Sequence, residues 1–168
     1  GTTAEIHPDY ADVRFKLALA YLRGGDHAAA QKEFEAAISI NPRYAEAHFY
    51  LGITCLDRKL YREAIEQFER SAAIKPDYAD LQCFLGTTYF YLGELDRART
   101  ALEASLTLSP NYGKARYYYG LLLYALGDRK RAIEYLSEAT KGEEHKGAVD
   151  LSLPSCTCGR EISRRRWS

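Results

Sequence analysis

The stretch from Ala45 to Tyr78, AEAHFYLGITCLDRKLYREAIEQFERSAAIKPDY, decides the fold, because its 34-residue pattern recurs in register on both sides of it. Before it, Ala11 to Tyr44 reads ADVRFKLALAYLRGGDHAAAQKEFEAAISINPRY. After it come Ala79 to Tyr112, ADLQCFLGTTYFYLGELDRARTALEASLTLSPNY, and Gly113 to Lys146, GKARYYYGLLLYALGDRKRAIEYLSEATKGEEHK. A fixed period of this length means that each copy is one supersecondary unit, which buries its apolar face mainly against its neighbours. Function in such a stack lies on its surface.

Within the Ala45–Tyr78 copy, Ala47, Leu51 and Cys55 recur every fourth residue and form one helical stripe. A turn near Lys59 and Leu60 follows, and Ala64, Phe68 and Ser71 then form the facing stripe of a second helix, with Ile65, Ala72 and Ile74 adding apolar area. Gly52 and Ala64 are small, which lets two antiparallel helices approach closely. Pro76 closes the second helix, because proline cannot continue the hydrogen-bond ladder and biases its predecessor away from helix. Each copy therefore predicts a helical hairpin.

The equivalent positions carry a family resemblance. They hold Leu17, Leu51, Leu85 and Tyr119; Ala18, Gly52, Gly86 and Gly120; Tyr21, Cys55, Tyr89 and Leu123. In the second helices they hold Ala30, Ala64, Ala98 and Ala132; Phe34, Phe68, Leu102 and Leu136; Ala37, Ser71, Ser105 and Ala139; and they close on Pro42, Pro76 and Pro110. This resembles the tetratricopeptide repeat over most of the chain. The resemblance implies an all-α fold, a right-handed α-α superhelix of about four helix-turn-helix repeats at 11–44, 45–78, 79–112 and 113–146. One departure is the polar set Arg14, His48, Gln82 and Arg116, where the family often has a large apolar residue.

Both ends differ from the repeats. Ala4 to Tyr10 aligns with the close of a repeat, so residues 1–10 read as the end of a preceding repeat or an N-terminal extension. At the other end the pattern fails at Thr140-Lys141-Gly142, where glycine can end a helix in a left-handed cap. Residues 147–168 lack a helical period, contain Pro154 and Gly159, and read as an irregular or disordered tail. With no methionine anywhere, position 1 included, the chain reads as a fragment or a processed form.

The resemblance also places the first helix of each hairpin on a concave face. The candidate partner-binding residues there are Phe15, Leu19 and Leu22; Phe49, Ile53 and Leu56; Thr87, Phe90 and Tyr91; and Tyr117, Leu121 and Tyr124, with Cys83 in the same register. Asp12, Arg23, Glu46, Asp57, Asp80 and Lys114 would rim them. An apolar stripe with a polar border suits a partner helix presenting residues at i, i+3 or i+4, and i+7. Periodic apolar residues are equally a packing stripe, and Lys16, Tyr50, Phe84 and Tyr118 beside them share that ambiguity. The family's carboxylate clamp is missing, since Phe15, Leu19 and Tyr50 occupy the first places for it. Its asparagine ladder is missing too. The expected partner is therefore an apolar or amphipathic protein segment, or a second copy of the chain. The alternatives are a self-associating assembly module and a docking domain of a larger enzyme.

Chemistry finds little support in the sequence. Lysine plus arginine balance aspartate plus glutamate, 23 against 23, which gives no electrostatic case for nucleic acid. No apolar run approaches the roughly 20 residues of a membrane span. His7, His27, His48 and His145 lack partners at catalytic or ligand spacing. The acids Glu33, Glu35, Glu63, Glu66 and Glu69 alternate with basic residues on solvated second-helix faces. The glycines Gly24, Gly25 and Gly93 fall at turns without a phosphate loop's lysine and hydroxyl residue. Cys55 and Cys83 act as small apolar residues and favour a reducing compartment. Cys156 and Cys158 are too few for a zinc site. Arg164-Arg165-Arg166-Trp167 is too short for a nucleic-acid platform. The expectation is a non-enzyme without cofactor or metal, in the cytoplasm or on a periplasmic or membrane-tethered parent.

Overall fold

The computed structural model describes residues 8–143, which form helices and turns only. They divide between Asp77 and Tyr78 into two compact units, each of two hairpins. The first unit contains α1 (Pro8–Arg23), α2 (His27–Ile40), α3 (Ala45–Asp57) and α4 (Tyr61–Ile74). The second contains α5 (Ala79–Leu92), α6 (Leu95–Leu108), α7 (Gly113–Ala125) and α8 (Arg129–Glu143). In each hairpin the two helices pack on one another, and within the units α2 also packs on α3 and α6 on α7. The close approach of the paired helices at small residues follows the sequence reading, and Phe68 is what faces Gly52.

Close approach is visible at the glycines. A methyl group on Gly52 would lie 2.6 Å from the Phe68 ring, and one on Gly86 only 2.5 Å from Leu102 Cγ. In the first hairpin Ala18 fills the same place, fully buried, as is Phe34 opposite it. Ser71 and Ser105 are also buried, and each hydroxyl donates to the carbonyl at the start of its partner helix, Ala45 and Ala79, at 2.8 Å. A buried hydroxyl needs such a partner.

All four hairpin turns close in one way. The backbone N–H groups of Asp26, Leu60, Glu94 and Asp128 donate to the carbonyls five residues earlier, at Tyr21, Cys55, Tyr89 and Leu123. Those of Gly25, Lys59, Gly93 and Gly127 donate to the carbonyls three residues earlier. This is the double bond of a Schellman ending, and it requires a left-handed residue. Glycine supplies it three times, at φ 82°, 81° and 89°; in the second hairpin Lys59 does so at φ 61°. Asp26 and Asp128 then accept from the N–H groups of Ala29 and Arg131, capping α2 and α8.

The ends depart from expectation. Pro8, Asp9 and Tyr10, expected ahead of the first repeat, form the first turn of α1, where proline's missing N–H removes no helical bond. Gly142 does not stop α8, which runs through it to Glu143. Ala4 to His7, His145, Cys156, Cys158 and the arginine-rich tail lie outside the described residues.

Candidate partner-binding face

Three of the polar residues that depart from the family pattern, Arg14, His48 and Arg116, each fasten the two helices of a hairpin together. Arg14 donates to Glu33 at 2.8 Å, joining α1 to α2. His48, one repeat on, sits 2.9 Å from Gln67 Oε1 of α4 and 3.0 Å from the Pro42 carbonyl, with only 3% of its surface exposed. Arg116 donates to the Pro110 carbonyl at 2.8 Å and pairs with Glu138 of α8 at 3.3 Å. Proline fixes the loop, and the carbonyl it leaves after the second helix is collected by the next first helix. His48 is thus an inter-helix residue.

In the first unit the expected site residues divide by exposure. Phe49 is buried, at 5.3 Å between ring centroids from Tyr50 and 6.0 Å from Phe68. Phe15 is half-buried in a cluster with Phe34, Tyr44 and Tyr50 at 4.9–5.8 Å. That cluster brings α1 and α3 together. Leu19 and Leu22 of α1 and Ile53 and Leu56 of α3 each remain half-exposed. Around them Asp12 accepts from Tyr44 Oη at 3.1 Å and pairs with Lys16 at 3.0 Å, bonds that hold its carboxyl below the usual range. Glu46 pairs with Lys75 and Asp57 approaches His27.

In the second unit Thr87, Phe90 and Tyr91 of α5 are buried, and so is Cys83. Thr87 donates to the Cys83 carbonyl at 2.7 Å, and the Tyr91 and Tyr118 hydroxyls lie 3.2 Å apart. Tyr117 and Leu121 of α7 are half-buried, while Tyr124 is 48% exposed. Lys114 places its ammonium 3.7 Å from the Phe84 ring centroid, a cation–π contact. Of the ambiguous set, Tyr118 is thus core and Phe84 carries a cation.

Burial pushes the Cys55 and Cys83 thiols up to about 11, so both stay protonated at neutral pH and are poor nucleophiles. Among the described residues no group of three or more His, Cys, Asp or Glu side chains could hold a metal ion. No described helix is long and apolar enough to cross a membrane.

Repeated hairpins in which a second helix packs on the next first helix define a helical-repeat protein. The family model described as Tetratricopeptide repeat matches residues 7–79 and 85–147, and the chain belongs to that family. None of the curated proteins matches it by sequence. Among solved structures, a crystal structure of MamA is 28% identical, covering 82% of this chain and 81% of that one, with a TM-score of 0.75. MamA from Desulfovibrio magneticus RS-1, residue 41 to the end, is 22% identical over 86% of this chain and 80% of that chain, with a TM-score of 0.74. YrrB, described as a TPR protein with an unusual peptide-binding site, is 22% identical over 76% of this chain and 66% of its own, at 0.69. The last two share the fold.

Proposed function

We propose that the chain is a non-catalytic scaffold that binds an amphipathic helical segment of a partner protein through the exposed apolar residues of its first helices. The fold is one generally used for protein interaction. One observation carries the finer reading: Leu19, Leu22, Ile53 and Leu56 keep part of their surface in water although they stand in the same register as the buried Thr87 and Phe90. Four half-exposed aliphatic residues on two adjoining helices match the i, i+3 or i+4, and i+7 anchors of an amphipathic helix. Tyr117, Leu121 and Tyr124 provide a second patch within the other unit. Phe49, Thr87, Phe90 and Tyr91 support the face from beneath.

The test is a display selection of amphipathic helical peptides on the full chain, followed by calorimetry of the enriched peptides. Leu19→Glu with Ile53→Glu should weaken binding about a hundredfold, as truncating central anchors does, with the circular dichroism spectrum unchanged. Enrichment of no peptide, or equal binding to the variant, would remove the reading.

A further inference from the structure

Where α6, α7 and α8 meet, a cleft of about 340 Å³ is lined by Leu106, Pro110, Arg116, Glu134, Tyr135 and Glu138. Leu106 and Pro110 make it apolar on one side, and the Tyr135 ring is held at 4.8 Å and 75° to that of Tyr119. Arg116 is fully engaged. Its Nε donates to the Pro110 carbonyl at 2.8 Å, Nη2 donates to Asn111 at 3.1 Å, and Nη1 pairs with Glu138 at 3.3 Å. Glu134 has no such partner: among the described residues no ion pair reaches it. Two carboxylates against one guanidinium leave the cleft one negative charge in excess.

The other second helices show what is unusual here. In α4 the Glu134 and Glu138 positions are Glu66 and Arg70, which pair with each other at 2.7 Å. In α2 they are Lys32 and Ala36, and in α6 Thr100 and Ala104, so α8 alone sets two carboxylates one turn apart at this place. Like charges at i and i+4 repel, and helix stability gives no reason for the pair. Nor does the opening depend on where the chain ends. Glu66 and Arg70 keep 58% and 57% of their side chains exposed, and Lys32 is exposed, although further repeats follow both helices. The repeat itself leaves this side of a second helix in water.

We propose that the cleft receives an arginine side chain of a partner protein, its guanidinium on the Glu134 carboxylate and the Tyr135 ring and its stem along Leu106 and Pro110. The excess charge selects a cation. A flat guanidinium bonds a carboxylate through two N–H groups and lies on an aromatic ring, which a compact ammonium does less well. Glu138 is 55% exposed and Glu134 is exposed too, so the cleft covers one side chain but not most of a free small molecule. This site lies on second helices of the second unit and is independent of the first-helix face.

The experiment is a titration of the isotope-labelled full chain, followed by its amide shifts. The probes are acetylated alanine peptides with one central arginine, lysine or citrulline, the last an uncharged isostere of arginine. The arginine peptide should move the Glu134, Tyr135 and Glu138 amides along a saturable curve, and the citrulline peptide should bind about fivefold more weakly, the worth of an exposed ion pair. Glu134→Gln should weaken the arginine peptide by about the same factor. Glu138→Arg gives Glu134 a cation of its own, as Arg70 serves Glu66, and should abolish the curve. Both positions are exposed, and the amide spectrum reports folding directly. The Leu19→Glu, Ile53→Glu variant should bind the peptide unchanged, which separates this site from the first-helix face. Equal curves for the arginine and citrulline peptides overturn the proposal, as does a curve unaltered by Glu134→Gln. Shift changes confined to other helices, or none at the highest soluble peptide concentration, overturn it too. A lysine peptide that binds as tightly as arginine overturns the choice of a guanidinium.

Discussion

The two units follow one repeat rule with different side chains. The first closes its hairpins with Phe34 and Phe68 against Ala18 and Gly52; the second uses Leu102 and Leu136 against Gly86 and Gly120. Rings in the first unit meet mostly through hydrocarbon, as in Phe34 with Tyr50 at 6.2 Å and Phe49 with Phe68. In the second, tyrosine tips bond: Tyr91 with Tyr118, and Tyr119 with Glu103. A repeat demands a volume at each position and leaves the chemistry free. The residues differ because a ring against alanine or glycine and a leucine against glycine fill equivalent gaps.

The largest effects should come from those gaps. Phe34→Ala should cost about 4 kcal/mol and Leu102→Ala about 3 kcal/mol in denaturant unfolding, since both side chains are fully buried and leave cavities. Equal costs would mean that the first unit collapses around the lost ring. Gly86→Ala should cost about 2 kcal/mol, because the added methyl meets Leu102 at 2.5 Å. Ala18→Gly at the same register should cost only about 1 kcal/mol, as the helix loses propensity without a clash. The pair separates steric closeness from residue type.

The fasteners give an intermediate contrast. His48→Ala should destabilise by about 2 kcal/mol, because it strands Gln67 and the Pro42 carbonyl in a site where His48 is 3% exposed. Arg14→Ala removes the corresponding pair, but the Arg14 side chain is 49% exposed, so the loss should be the smaller of the two. Similar values would show that burial does not set the worth of these bonds.

Alkaline pH distinguishes the units further. The folded thiols of Cys55 and Cys83 titrate near 11 against an ordinary value of 9.0, so folding favours their neutral form. Their contribution is fully present below pH 9 and is lost as pH rises from 9 through 11, at no more than about 1.4 kcal/mol per pH unit from one thiol. Burial also raises Tyr118 and Tyr112 in the second unit, and Tyr44 in the first to about 12. Thermal melts should therefore fall above pH 9, and Cys83→Ala should flatten that fall. An unaltered slope would place the titration elsewhere.

The smallest expected change is a gain. Lys59→Gly relieves a left-handed lysine at φ 61° and should stabilise the chain by about 0.5 kcal/mol, the relief of about 1 kcal/mol being partly offset by glycine's greater unfolded freedom. The reverse change, Gly93→Lys, should destabilise.

Much of the fold was legible because the period is long and repeated: hairpin limits, the small positions 18, 52, 86 and 120, and the closing prolines all follow from the spacing. The candidate face was less legible. Spacing assigns Phe15, Phe49 and Cys83 to one register, yet Phe15 is half-buried and the other two are buried. The work of Arg14, His48 and Arg116 was hidden, since their side-chain partners Glu33, Gln67 and Glu138 do not repeat in type. Leu17 and Tyr21 read as packing residues, and only the folded chain shows them at the surface.

Sequence by itself determined the family and the hairpin, because 3.6-residue periodicity and backbone breakers act locally and recur every 34 residues. Tertiary structure alone decided which apolar residues meet water and which polar ones find each other. Exposure depends on the helix packed against a given face, and that neighbour is not written into the residue's own spacing.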